Sequence, residues 1–319
     1  MLLARSRFRA MGSPCEFHLY GESRAALDAV ATACRAEIER LEEKYSRYRG
    51  TSLATAINLS AGSEAGFEVE DETASLLDYA HTAWVESEGL FDITSGILRR
   101  AWDFRSGRLP TQTAVAALLD RVGWQRVRWE RPRLVLPLAG MELDFGGFVK
   151  EYAADRLAEL CIAHGVAAGL IDLGGDLRTV GPHPDGQPWR VGIRDPRRPG
   201  SAMASTGLRH GGLATSGDYE RCMVVDGVRY GHVLDPRSGW PVTGLVSVSV
   251  AASQCLVAGT ASTIAMLRGE EAGLAFLDEL GLPYVALCRG GAHHAVGFAV
   301  ADALHESDAQ LPSVDAHAA

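Results

Sequence analysis

Between Ala214 and Val242 the chain reads ATSGDYERCMVVDGVRYGHVLDPRSGWPV, which gathers a hydroxyl, two carboxylates and an imidazole into one short stretch. Thr215-Ser216-Gly217-Asp218 forms a polar turn, and Val225-Asp226-Gly227-Val228 predicts a tight hairpin. Asp-Gly accepts the positive φ angles that a two-residue turn demands. Such a hairpin returns His232 to the neighbourhood of Ser216 and Asp218, after which Asp235-Pro236 and Gly239 turn the chain away. A hydroxyl near an imidazole suits nucleophilic or general-base chemistry. On residue chemistry alone the stretch admits a hydrolase centre with Ser216 as nucleophile. Any one of these residues by itself also reads as an ordinary polar turn, so the cluster carries the weight.

Two more glycine-bearing turns follow strands, Asp144-Phe145-Gly146-Gly147 and Leu173-Gly174-Gly175-Asp176. Glycine lets backbone N–H groups approach a ligand, and a helix starting after Gly147 favours phosphate at its N-terminus. Neither turn is G-x-G-x-x-G or a P-loop. Lys150 sits in the first turn of that helix, an unfavourable place for a cation unless an anion or solvent relieves it. Asp92 and Thr94 read as a cap for the segment after them, and Thr260, Ser262 and Thr263 as a hydroxyl-rich helix start. Trp102 and Phe104 are either core or walls for an aromatic ring. His293-His294 has no acidic partner nearby in sequence and reads poorly as a metal site.

The elements that must position these groups alternate without a βαβ rhythm, which predicts an α+β fold with mixed, largely antiparallel sheets and packed helices. A strand is expected over Met11–Tyr20 and a long amphipathic helix over Ser23–Tyr45, with Leu27, Val30, Cys34, Ile38, Leu41 and Tyr45 inward. Further helices are expected from Asp71 or Thr73 to Glu88, over Thr113–Val122, Phe148–His164, Val257–Leu267 and Glu270–Leu280. Hairpins are expected around Arg131-Pro132 and around Gly290-Gly291, the second joining Tyr284–Cys288 to His294–Val300. Met141–Phe145, Ala168–Leu173, Trp189–Ile193 and Leu245–Ala251 read as strands. No linker divides the chain: residues 1–301 form one domain, and residues 302–319 form a polar, disordered tail.

With 319 residues the chain can bury a substantial core. A net charge of −9 argues against nucleic-acid binding, so an anionic ligand must be held by local donors. The 6 cysteines are scattered, with no C-x-x-C pair, and read as reduced core residues. No apolar run spans a bilayer, and the first residues lack a signal-peptide core, so the sequence as it stands predicts a cytoplasmic protein. A leader ahead of it would make the protein periplasmic.

Taken in order, these motifs resemble the ApbE family of FAD:protein FMN transferases, from Met11 to about Val300. The matching blocks are Met11-Gly12-Ser13, the Ser46-Arg47-Tyr48 to Asn58 block, Phe91-Asp92-Ile93-Thr94 with Trp102-Asp103-Phe104, LDFGGFVKEYAAD from Leu143, IDLGGD from Ile171, ATSGDYER from Ala214 and HVLDPRSG from His232. The resemblance implies that FAD, with magnesium beside its pyrophosphate, is held in a cleft. It also implies that the FMN half is moved to a threonine or serine hydroxyl of an acceptor flavoprotein, releasing AMP. By motif position Met11, Tyr48, Trp102, Asp103, Phe104, Asp144, Lys150 and Val233 would contact FAD, and His232 would take the acceptor's proton.

Two positions depart from the family pattern. The late helix usually begins A-D-A-x-x-T, with Asp and Thr on the metal; here Gly259 stands for the aspartate while Thr263 remains. Ser262, Thr263 and the Gly147 carbonyl would then form a weaker magnesium site. The other departure is Glu151, where glycine commonly follows the lysine; it adds negative charge near the phosphate end unless it faces solvent. Gly259 keeps two alternatives open, a non-catalytic FAD-binding protein and an FAD pyrophosphatase.

Overall fold

A computed structural model describes residues 1–198, 200–219 and 221–300. The tail expected over 302–319 lies outside the described residues.

The chain opens on a hairpin. Leu2–Ala10 pairs antiparallel with Ser13–Gly21, and Met11 and Gly12 turn the corner at φ 48° and 72°. Met11 is therefore a turn residue and not the start of a strand, and the Leu2–Ala10 strand was absent from the sequence reading. Arg5, Arg7 and Arg9 disguise it, since charged positions are tolerated on a strand at the edge of a sheet. The hairpin begins an eight-stranded sheet that continues through Ala168–Leu173, Asp176–Gly181, Gly212–Gly217, Leu245–Ala252, Tyr284–Cys288 and His293–Val296. Every neighbouring pair is antiparallel.

Helices cover one face. α1 (Arg24–Tyr45) starts where the Ser23 hydroxyl accepts from the Ala26 N–H, and it buries the predicted stripe from Leu27 to Tyr45. α2 (Leu53–Leu59) and α3 (Asp71–Glu86) follow, capped by Ser52 and Glu70. α4 (Gln112–Leu119) belongs to a separate lobe. α5 (Val149–Ala163), α6 (Cys255–Arg268) and α7 (Glu270–Leu280) complete the layer. The main core lies between these helices and the sheet, with Phe17, Ile38, Phe145, Phe148, Leu157 and Val248 all buried. On the other face a small sheet of Trp189–Arg194, Ala202–Leu208 and Ala299–Val300 packs through Trp189, Val191, Ile193 and Met203 onto Leu177, Leu213 and Leu287. The expected last strand thus divides at Gly297 (φ 73°), with its first part in the large sheet and its end in the small one.

Two further expectations fail for local reasons. Met141–Phe145 is not a strand. The Asn58 amide accepts from the Leu143 N–H at 2.7 Å and donates to its carbonyl at 3.1 Å, doing what a neighbouring strand would do. The Asp144 N–H is taken by the Ile93 carbonyl at 2.8 Å, and a single 3-10 turn, Phe145–Gly147, leads into α5. Thr260, Ser262 and Thr263 do not cap a helix but lie inside α6. The cap comes from α5, where both Asp155 carboxylate oxygens accept at 2.9 Å, from the N–H groups of Cys255 and Leu256. Those backbone donors need partners at a buried helix start.

Candidate active site

The two glycine turns meet the opening hairpin at one end of the sheet. Gly174 and Gly175 take φ 68° and 93°, and a Cβ on Gly174 would stand 2.6 Å from Ser13 Cβ, so only glycine allows this approach. Met11 is fixed beside them by its N–H, which donates to Glu42 Oε2 at 2.9 Å. These turns border a cleft of 3120 Å³. Arg5, Arg7, Arg9, Arg47, Arg99 and Lys150 line it among carboxylates such as Glu16, Glu42, Asp144, Asp172 and Asp176, so the wall carries both signs and lacks the acidic excess of the chain as a whole.

At the cleft's edge Arg47 donates to Asp144 Oδ2 at 2.9 Å, to Glu142 Oε2 at 3.1 Å and to the Gly96 carbonyl at 2.5 Å. Asp144 also accepts from the Gly146 N–H at 2.9 Å, which shapes the turn into α5. Gly146 and Gly147 are exposed to the cleft, and no side chain caps α5. This helix N-terminus is thus open to an anion.

Lys150 answers its own unfavourable position through Asp176, whose Oδ2 lies 2.8 Å from Nζ. Burial works against the ammonium charge, but Asp176 and then Glu151 outweigh it and hold the pKa above the usual lysine range. Glu151 is half-buried and lines the cleft. Burial, reinforced by Asp176, pushes its carboxyl up to about 8, and its buried Oε2 makes no hydrogen bond.

His232 lies on the same cleft with Val233 and Ser216. Burial first, then Arg99 and Arg221, push its pKa down to about 4, which leaves the imidazole neutral near pH 7. Its Nδ1 is buried and unpartnered. The predicted hairpin, Cys222–Val225 with Val228–Gly231, does return this residue to Asp218, since a Cβ on Gly231 would sit 2.7 Å from Asp218 Cβ. Ser216, His232 and Asp218 nonetheless do not form a Ser-His-Asp hydrolase centre. The Ser216 hydroxyl is shared with Ser262 and Thr263, both at 2.8 Å, and Asp218 is drawn to Arg289 at 3.4 Å and Arg229 at 3.7 Å.

The other sequence candidates divide. Met11, Tyr48, Asp144, Lys150, Val233, Gly147 and Thr263 all line the cleft. Tyr48 is 81% exposed, free to lie against a ligand, and Arg47 stands over its ring at 5.8 Å. Ser262 is fully buried and donates back to the Gly259 carbonyl at 2.9 Å, behind the cleft wall. Trp102, Asp103 and Phe104 do not line the cleft. Trp102 is buried in the third apolar cluster, stacked on Phe104 and edge-on to Trp240, and its Nε1 donates to the Gly239 carbonyl at 2.8 Å. Asp103 is exposed and accepts from the Arg105 N–H. In their place the cleft receives Leu90, Phe91, Arg47 and Arg99, none of which the sequence singled out as a ligand contact. Arg47 lay within the Ser46-Arg47-Tyr48 block, so the signal was present. Among the described residues no group of three or more His, Cys, Asp or Glu side chains is placed to hold a metal, and no helix is long and apolar enough to cross a membrane.

A relative from Treponema pallidum (strain Nichols) named FAD:protein FMN transferase is 32% identical over 293 residues, covering 84% of this chain and 80% of its own. The crystal structure of the ApbE protein of Thermotoga maritima superposes with a TM-score of 0.85 at 29% identity, covering 92% of this chain and 97% of its own. The apo form of the flavinyl transferase ApbE of Pseudomonas stutzeri gives 0.81 at 30% identity, over 92% and 95%. Residues 11–286 match the ApbE family as a whole, and the chain belongs to that family.

Proposed function

We propose that this protein transfers the FMN half of FAD to a threonine or serine hydroxyl of an acceptor flavoprotein, releasing AMP. The observation that carries the reading is the conjunction, in one cleft, of an uncapped helix N-terminus with a neutral, half-buried imidazole. The first suits a pyrophosphate and the second suits a hydroxyl nucleophile. The cleft's 3120 Å³ also exceeds the ~300–1,000 Å³ of ordinary ligand pockets, which leaves room for a protein segment beside a dinucleotide.

In this reading the open N–H groups after Gly147 and the Lys150 ammonium bind the pyrophosphate, while Met11, Tyr48 and Val233 flank the remainder of FAD. His232 accepts the acceptor's proton as the hydroxyl oxygen bonds to the FMN phosphorus. The bond from that phosphorus to the AMP phosphate breaks, and AMP departs with the electron pair. The oxygens of Thr263, Ser216 and Gly147, with the unpaired Glu151 carboxylate close by, are hard donors that fit magnesium. When bound, the ion neutralises charge that develops on the pyrophosphate.

The test is incubation with FAD, magnesium and a flavoprotein acceptor, followed by intact-protein mass spectrometry. A covalent FMN increment on the acceptor, with one AMP per increment, is the expected result. FAD binding with no increment on any acceptor tried would point to a flavin-binding protein, and AMP formed without an acceptor would point to a pyrophosphatase.

A further inference from the structure

Gly259 and Thr263 are four residues apart on α6, so they share a face one turn apart, with roughly 5–6 Å between such positions. A side chain at 259 would have nowhere to go. A Cβ built there would stand 2.7 Å from both Cγ and Oε1 of Glu151 and 3.0 Å from its Cδ. Glu151 comes from the first turn of α5, across the helix pair, and its carboxylate occupies the room that the missing side chain leaves. Its Oε2 is buried with no partner, although leaving a buried acceptor unpaired costs about 1–3 kcal/mol, more when it is charged. The neighbouring ammonium does not relieve it, because Lys150 Nζ is placed 2.8 Å from Asp176. Asp176 and Asp155 add further negative potential.

We propose that Glu151 supplies the anionic ligand of the magnesium site from α5, in exchange for a carboxylate at position 259 on α6. The two departures noted in the sequence then become one event. Glycine at 259 makes the space that glutamate at 151 fills, and Thr263 lies one turn along the same face to complete the donor set with the cleft-exposed Gly147 carbonyl. A divalent cation there gives the orphaned oxygen its partner. Neither residue suits the other's family alternative: an aspartate at 259 beside Glu151 would collide with it and set two carboxylates together in a buried place.

The inference rests on the flavin-transferase reading for the presence of a metal, and its test is separate from activity. Mn2+ binding is titrated by electron paramagnetic resonance, with and without FAD, on the wild type, Glu151→Gln, Gly259→Asp and the double variant Glu151→Gly/Gly259→Asp, with circular dichroism to confirm folding. Glu151→Gln, nearly isosteric, is expected to weaken Mn2+ by about 10–100-fold, the loss typical of removing one group that supports a metal. The double variant is expected to recover affinity to within about threefold, and Gly259→Asp alone to bind no better than the wild type. Wild-type affinity in Glu151→Gln, or no Mn2+ binding by the wild type in either condition, overturns the proposal. If Mn2+ binding follows Glu151 while no FMN reaches an acceptor, the transferase reading fails and the ligand assignment stands. If FMN transfer proceeds and Glu151→Gln leaves Mn2+ untouched, the assignment fails alone.

Discussion

The Arg47 guanidinium stands 2.9 Å from Asp144 Oδ2, and Gly96 closes the arrangement from the third side, since a Cβ there would lie 2.3 Å from Asp144 Cβ. Arg47 also reaches Glu142 at 3.1 Å, and Arg100 joins that carboxylate from outside. All three side chains of the inner cluster are largely buried. Breaking a buried ion pair from one side costs about 3–5 kcal/mol when the charge left behind has no other partner. Here Glu142 keeps Arg100 and Asp144 keeps Arg99 at 3.9 Å, so Arg47→Met should lower unfolding stability by less than that full amount, by about 1–3 kcal/mol in a denaturant titration. A loss under about 1 kcal/mol would place Arg47 among ordinary surface ion pairs.

Gly96→Ala tests the same cluster from the other direction. Its Cβ has no room unless Asp144 moves, and Asp144 sets the turn that aims the α5 N-terminus at the cleft. The expected outcome is weaker FAD binding, read as flavin fluorescence quenching, by at least roughly tenfold, the scale of a displacement of about 1 Å at a binding site. Unchanged FAD affinity would show that the Asp144 turn does not position the ligand.

Trp102 separates a structural role from a binding one. It is 3% exposed and fills a cluster with Ile97, Leu98, Met223 and Leu234, of which Leu234 alone also lines the cleft. Trp102→Ala should cost about 3–5 kcal/mol of stability, as large aromatic truncations in cores do. Trp102→Phe keeps most of the packing but loses the hydrogen bond to the Gly239 carbonyl, and it should bind FAD within about twofold of the wild type, because it removes no cleft contact. A large loss of FAD affinity in the Phe variant would return Trp102 to the site.

What was legible in the sequence and what was not follows from the range of the forces involved. The α1 stripe, the Asp226-Gly227 hairpin and the capping role of Asp92 depend on residues a few positions apart, and they appear as expected. Asp92 does more than cap, since its Oδ2 also accepts from the Trp124 N–H at 2.8 Å. Some misreadings turn on distant partners: Asn58 imitates a strand for Leu143, and Asp155 caps α6 from α5. The Leu2–Ala10 strand was hidden locally, by its own Arg5, Arg7 and Arg9. The anion that relieves Lys150 is Asp176, also distant in the chain. The motif blocks marked Asp144, Lys150 and His232 as site residues, but only the packing of α5 against α6 shows that Glu151 and Gly259 share one space. Such pairings are invisible to periodicity, because the two residues are far apart in the chain.

His232 makes the stability of the fold depend on pH. Its folded pKa of about 4 lies below the ordinary value of 6.5, so the folded protein resists a proton that the unfolded chain accepts. Stability from this group is complete above pH 6.5 and falls as pH drops from 6.5 toward 4, by no more than about 3 kcal/mol. His232→Gln should flatten that part of the stability–pH curve. In catalysis part of this depression is relieved once an anion enters, since negative charge beside Arg99, Arg221 and Lys150 offsets their repulsion, while burial, the larger cause, remains. The His232 pKa, followed by NMR, should therefore rise when FAD binds, bringing the base nearer the working pH, where general-base catalysis is most effective. His232→Gln should slow FMN transfer by about 10²–10⁴-fold with FAD affinity within a few-fold of the wild type. Near-wild-type transfer in that variant would remove His232 from the reaction and leave the acceptor hydroxyl to be activated by another group.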